Sequence, residues 1–313
     1  MDRRVFLAAA AAGTATAATI AAEDKPAMLP VIDTHQHLWD LTKLRLGWLT
    51  SKDNPLGQSF TPKEYAEATQ GLNVVKSVYM EVDVVPEQQQ QEADYVVALC
   101  ESGKTPMVAA VISGRPNSDG FAKYITPYKG SKYVKGIRQV LHVESTPAGY
   151  CLDPKFVKGI QLLGELGLSF DLCVRPAELP DMAKLVDQCP GTQFILDHCG
   201  NPRGDFTKDQ WEKWRKDMAA MGTRKNVVCK VSGFIANGYQ KGKWKTEDLA
   251  PAVNGTIEAF GVDRVMFGGD WPVCTLAATY KEWLTVLKEL IASRPEADQK
   301  KILHDNAAKT YGI

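Results

Sequence analysis

Eight short apolar, β-branched runs punctuate the chain, at Val31–Thr34, Val74–Val82, Met107–Ile112, Val134–Leu141, Leu168–Val174, Phe194–Leu196, Val227–Val231 and Arg264–Phe267. They are apolar continuously rather than alternately, which predicts parallel strands covered on both faces. Between them lie stretches with helical periodicity and capping signals. Thr61-Pro62-Lys63-Glu64 is a capping box with Pro at the first helical position. Asp153-Pro154 opens "KFVKGIQLLGELG"; "TKDQWEKWRKDMAAMG" runs from a Thr cap to Gly222; "TEDLAPAVNGTIEAFG" runs from Thr246 to Gly261. "EQQQQEAD" reads as a polar helix face, because the apolar "YVVAL" follows at once. Eight strand–helix units predict an α/β chain folded as a single (β/α)8 TIM barrel. An open doubly wound sheet is the other arrangement. It wants a Gly-rich phosphate turn after the first strand, where this chain has histidines. No linker divides the chain, so one barrel is expected over 23–313. Leu38–Ser59 and Asn201–Phe206 are expected to be loops over the barrel mouth.

Composition narrows the partners. The formal net charge of the 313 residues is zero, and Lys and Arg are dispersed. Nothing supplies the basic patch that nucleic acid would require. Residues 1–22 carry Arg3-Arg4, then an Ala-rich run, then small residues before Glu23-Asp24. That order predicts a cleaved export signal and a periplasmic protein. Arg3-Arg4-Val5-Phe6-Leu7 resembles a twin-arginine signal. No other run is long enough to span a bilayer, so no stable membrane insertion is expected after signal removal. The seven cysteines have no paired spacing and several sit in apolar runs, which suits small core residues.

Barrel enzymes keep their chemistry at the C-terminal ends of the strands. Here those ends read His35 and His37, then Glu81 and Asp83, Arg138 with His142 beyond it, Arg175, Asp197-His198, and Asp270-Trp271. Four of the five histidines fall at or just past strand ends. Residues two apart on a strand share a face, so His35 and His37 can converge on one atom. Two imidazoles with a third nitrogen or a carboxylate suit a catalytic zinc-type site. His198 is the natural third ligand. Asp270 is a fourth ligand or a general base. Trp39 and Trp271 are candidate walls of a sugar-sized pocket; Arg175 and His142 are candidate substrate contacts. Lys230 on the seventh strand reads as an ordinary strand lysine.

"VIDTHQHLWD", "KGIRQVLH", "LDHCGNP", "KVSG" and "MFGGDWPVC" stand in order along the chain. Together they resemble the amidohydrolase-superfamily branch of sugar-lactone hydrolases and 2-pyrone-4,6-dicarboxylate hydrolases. The resemblance runs to the terminal "NAAKTYG". It implies a TIM barrel that opens cyclic esters of small-molecule substrates. It also implies a core of His35, His37, His198 and Asp270, with Arg138 on a substrate carboxylate or hydroxyl. The chain departs from the pattern at Gln139, where the family often has histidine. The strand-five histidine of the superfamily's binuclear members is absent from "SFDLCVR". One divalent metal is therefore expected, zinc or else manganese, and the resemblance includes members that work without one.

The expected reaction is lactone hydrolysis by water, with Asp270 moving the proton and His198 and Arg138 in the catalytic set. A decarboxylase on the same barrel is the first rival, and carbon dioxide release would separate the two. A non-catalytic sugar-acid-binding barrel is the second; it has no need of an HxH pair plus Asp.

Overall fold

The computed structural model describes residues 28–51 and 53–313. The expected export signal at 1–22 lies outside them. Eight parallel strands form one sheet in sequence order: β1 (Val31–Gln36), β2 (Val74–Met80), β3 (Met107–Ser113), β4 (Val134–Val140), β5 (Ser169–Cys173), β6 (Phe194–Leu196), β7 (Val227–Val231) and β8 (Val265–Phe267). Each is followed by its helix: α1 (Pro62–Thr69), α2 (Gln89–Ser102), α3 (Phe121–Ile125), α4 (Pro154–Leu166), α5 (Leu179–Gln188), α6 (Lys208–Gly222), α7 (Thr246–Phe260) and α8 (Tyr280–Ile291). This is the (β/α)8 barrel. The caps act as their residue types dictate. Thr61 and Glu64 form a reciprocal capping box, Asp153 accepts from the amides of Lys155 and Phe156, and Thr207 pairs with Gln210.

The sheet closes where β8 meets β1. The Thr34 hydroxyl donates to the Phe267 carbonyl (2.6 Å) and the His37 amide to the Trp271 carbonyl (2.8 Å). Asp33 staples the same seam. Its buried carboxylate accepts from the amides of His35 and Gly269, at 2.9 and 2.7 Å, and from the hydroxyls of Tyr65 and Tyr280, at 2.9 and 3.1 Å. A side chain on Gly269 would collide with Tyr280 and this carboxylate. The barrel interior is an apolar cluster that includes Ile32, Val78, Val111, Ile195 and Met266. Ala307 and Tyr311 of the C-terminal helical segment join it. All seven cysteines are buried and unpaired, as small core residues. No helix among the described residues is long and apolar enough to cross a membrane.

Candidate active site

β1 runs through Gln36, two residues past the predicted end, so His35 lies within the strand and His37 just beyond it. Their rings sit edge to face, with centroids 4.9 Å apart. His37 Nδ1 lies 2.9 Å from the Met80 carbonyl, which can only accept. A proton on Nδ1 therefore meets Met80, and Nε2 is the nitrogen that faces the site. That Nε2 faces Oδ1 of Asp270 at 3.3 Å, and His35 Nε2 lies 3.5 Å from the same oxygen. Asp270 reaches this place because its amide donates to the His35 carbonyl (2.7 Å) across the closing seam. Its backbone is left-handed (φ 52°), unusual for a residue with a side chain. His198 leaves β6 in the same conformation (φ 56°), its Nδ1 is 2.9 Å from Ser232 Oγ, and its ring centroid is 4.5 Å from that of His35. Gly233 makes this fit: a Cβ there would lie 2.1 Å from His198 Nδ1.

Beneath these groups runs a buried ionic network. Arg138 donates from Nε to Glu81 Oε1 and from Nη2 to the Glu81 carbonyl, both at 2.7 Å. Its Nη1 lies 3.3 Å from His35 Nε2 and 3.7 Å from Asp197 Oδ2. Lys230 is fully buried, 2.5 Å from Asp171 and 3.2 Å from Asp197. Asp197 in turn faces His35 Nδ1 at 3.4 Å. Lys230 is thus not an ordinary strand lysine; it neutralises carboxylates of the two preceding strands. Burial drives the imidazoles of His35 and His198 below their usual range, so they are neutral at pH 7. Burial alone would raise the Asp270 carboxyl. Attraction to the protonated form of His198 and a hydrogen bond from His37 outweigh it and hold the group at about 2. At pH 7 the site therefore presents an ionised carboxylate beside the neutral imidazoles of His35 and His198.

The donor set suits one divalent cation. His35, His37 and Asp270 each offer a ligand atom to a common point, as do His35, Asp197 and His198. Glu81, Asp197 and Asp270 face two buried cations (Arg138 and Lys230), an excess of negative charge that a cation would balance, while burial raises the Asp171 carboxyl to about 7. Imidazole and carboxylate together are the ligands that zinc and similar ions take.

Above the network opens a cavity of about 280 Å³. His37, Arg138, His198 and Asp270 line its floor. Each long loop contributes to the wall: Trp39, Trp48 and Leu56 from the first, Val143 from that after β4, Ala236 and Asn237 from that after β7. His142 lines it too; burial lowers its imidazole to about 4, and its Nδ1 lies 3.1 Å from Cys173 Sγ. The indoles of Trp39 and Trp48 stand edge to face, 5.7 Å apart. Two expected contacts lie elsewhere. Arg175 binds the carbonyls of Val143 and Thr146 and the carboxylate of Glu178, so it holds the β4 loop in place. Trp271 is buried against Phe60 and Tyr65 as packing. Asp83, Asn201, Asn237 and Trp48 line the cavity without having been singled out as substrate contacts. Asp83 lies three residues past β2 and Asn201 five past β6, close enough to strand ends for the sequence to carry a signal. Trp48 and Asn237 depend on loop conformation and left none.

Four matches relate the chain to known proteins. An L-fucono-1,5-lactonase of Burkholderia multivorans is 26% identical, covering 90% of this chain and 96% of that protein. An L-rhamnono-gamma-lactonase of Scheffersomyces stipitis is 25% identical, covering 90% and 98%. The crystal structure of a zinc-bound amidohydrolase from Burkholderia multivorans superposes with a TM-score of 0.81 over 91% of this chain and 99% of that one, at 23% identity, and shares its fold. The family model described as Amidohydrolase matches residues 32–313, from β1 to the last residue. With that match over the whole barrel, the chain belongs to the amidohydrolase family.

Proposed function

We propose that the protein hydrolyses the cyclic ester of a sugar lactone, and that it holds one zinc ion to do so. The observation that carries this reading is Asp270, kept ionised among three imidazoles at the floor of a cavity of about 280 Å³, room for one small ring. The lactonase names of the relatives support the same bond class. Zinc is favoured over manganese because imidazoles dominate the donor set.

His35 and His37 would hold the ion with Asp270. When bound, it supplies Lewis-acid polarisation of the ester carbonyl and eases deprotonation of water. The chain's own groups do the rest. Asp270 accepts the proton of the attacking water and returns it to the ring oxygen as the ester bond breaks. The proton carried on His37 Nδ1 by the Met80 carbonyl fixes the orientation of that ring. Arg138, His142 and His198 offer N–H donors from the cavity lining to the substrate's oxygens. Trp39 and Trp48 exclude water from one side.

Export through the twin-arginine route belongs to the same proposal and rests on residues 1–22 alone. The deciding experiment incubates the zinc-loaded protein with hydroxylated five- and six-membered lactones while following acid and carbon dioxide release. Acid without carbon dioxide is the expected result. Carbon dioxide from a carboxylated substrate would move the protein to decarboxylation. Binding without turnover would make it a receptor.

A further inference from the structure

We infer that Asp83, paired with Arg115, is a specificity-determining residue that selects neutral hydroxylated lactones over lactones bearing extra carboxylates. This deepens the lactonase reading and rests on it. Asp83 follows β2 and lines the cavity. Its backbone is left-handed (φ 50°), a conformation that residues with side chains seldom adopt, and its amide donates to Glu81 Oε2 at 2.6 Å. Arg115 Nη2 donates to Asp83 Oδ1 at 2.7 Å, while Arg115 Nη1 is held by Ser113 Oγ at 3.2 Å and the Gly114 carbonyl at 3.1 Å. One carboxylate oxygen is thus anchored from behind. Among the described residues no hydrogen bond to the other oxygen is seen. A charged acceptor beside the indoles of Trp39 and Trp48 is the arrangement that takes a sugar ring, with hydroxyls to the carboxylate and C–H faces to the aromatic wall.

The same lining disfavours an anionic substrate. Arg138 is the one permanently charged cation among the described lining residues, and Glu81 and Asp197 already balance it. An incoming carboxylate meets Asp83 and Asp270 instead, and its desolvation goes uncompensated. Replacing Asp83 by Asn reverses this, because Arg115 then carries an unpaired charge directly behind the lining residue at position 83. Asn tolerates the left-handed backbone, so Asp83→Asn is expected to fold.

Steady-state kinetics of the metal-loaded protein would use an aldonolactone carrying only hydroxyls and a pyrone dicarboxylate. Wild type should favour the neutral lactone. Asp83→Asn should raise its KM about tenfold with little change in kcat, and improve kcat/KM for the dicarboxylate about tenfold. Arg115→Gln should depress the dicarboxylate further. Wild-type preference for the dicarboxylate, or unchanged KM values in Asp83→Asn, would overturn the assignment and leave the lactonase reading standing. Calorimetric binding of an anhydro-alditol, the same ring without an ester bond, separates the two failures. Binding weakened about tenfold by Asp83→Asn supports the role of Asp83 even if no lactone is opened; equal binding overturns it.

Discussion

Nε2 of His37 lies 3.3 Å from Oδ1 of Asp270, although the residues come from opposite ends of the barrel sequence. Closure of β8 on β1 creates the contact, and attraction to the protonated form of His198 with a hydrogen bond from His37 holds the carboxyl low. A carboxyl held at about 2 is ionised at every pH at which the protein would work. Asp270→Asn should therefore cut lactone hydrolysis by about 10²- to 10⁴-fold. Asn keeps the shape and accepts the left-handed backbone, so the melting temperature should stay within a few degrees. Full activity in a folded Asp270→Asn protein would remove Asp270 from the reaction.

The proton on His37 Nδ1 leads to a second expectation, about metal. With Nδ1 committed to Met80, only Nε2 is free to bind an ion. His37→Gln should lower zinc content measured by mass spectrometry from about one per chain to a small fraction, and activity with it. Chelation of the wild type should do the same, reversibly. A chelated protein that stays active would recast the three histidines as hydrogen-bonding and proton-transfer groups.

The barrel was legible because runs buried on both faces leave a continuous apolar signature, and because cap residues such as Thr61 and Asp153 mark helix starts locally. The His35–His37 pair was legible for an equally local reason: a strand repeats its face every second residue. What escaped needed contacts between distant strands. Lys230 lies fully buried only because Asp171 and Asp197 stand on the two strands before it. Asp33 looks like one acid in an apolar run, and its four donors come from β1, α1, α8 and the loop after β8. Arg175 stands at a strand end like the true lining residues, yet its side chain turns to the β4 loop.

Lys230 yields a stability prediction. Removing its charge leaves the carboxylates of Asp171 and Asp197 buried side by side, with oxygens already short of hydrogen-bond partners. Lys230→Met should cost about 3–5 kcal/mol in chemical denaturation. Adding Asp171→Leu should recover part of that loss, since it takes away one buried carboxyl left without its partner. An equal or larger loss in the double variant would show that the pair does not interact as drawn.

Glu92 should make stability depend on pH. It lies buried on α2, with Oε1 accepting from the Tyr79 hydroxyl (2.9 Å) and the Val82 amide (2.8 Å), while Oε2 has no partner. Burial first, then the charge of Glu81, push its carboxyl from the usual 4.5 up to about 8. The folded chain therefore keeps a proton that the unfolded chain releases above about 4.5. Its contribution to stability is whole below that pH and falls as pH rises towards about 8. Glu92→Gln, which cannot ionise, should flatten this slope and melt higher than wild type at pH 9. Near pH 4, where both carry a neutral side chain, the two should melt alike. Parallel stability curves across pH 4 to 9 would mean that Glu92 is ionised inside the fold, with its charge met by the Tyr79 and Val82 donors.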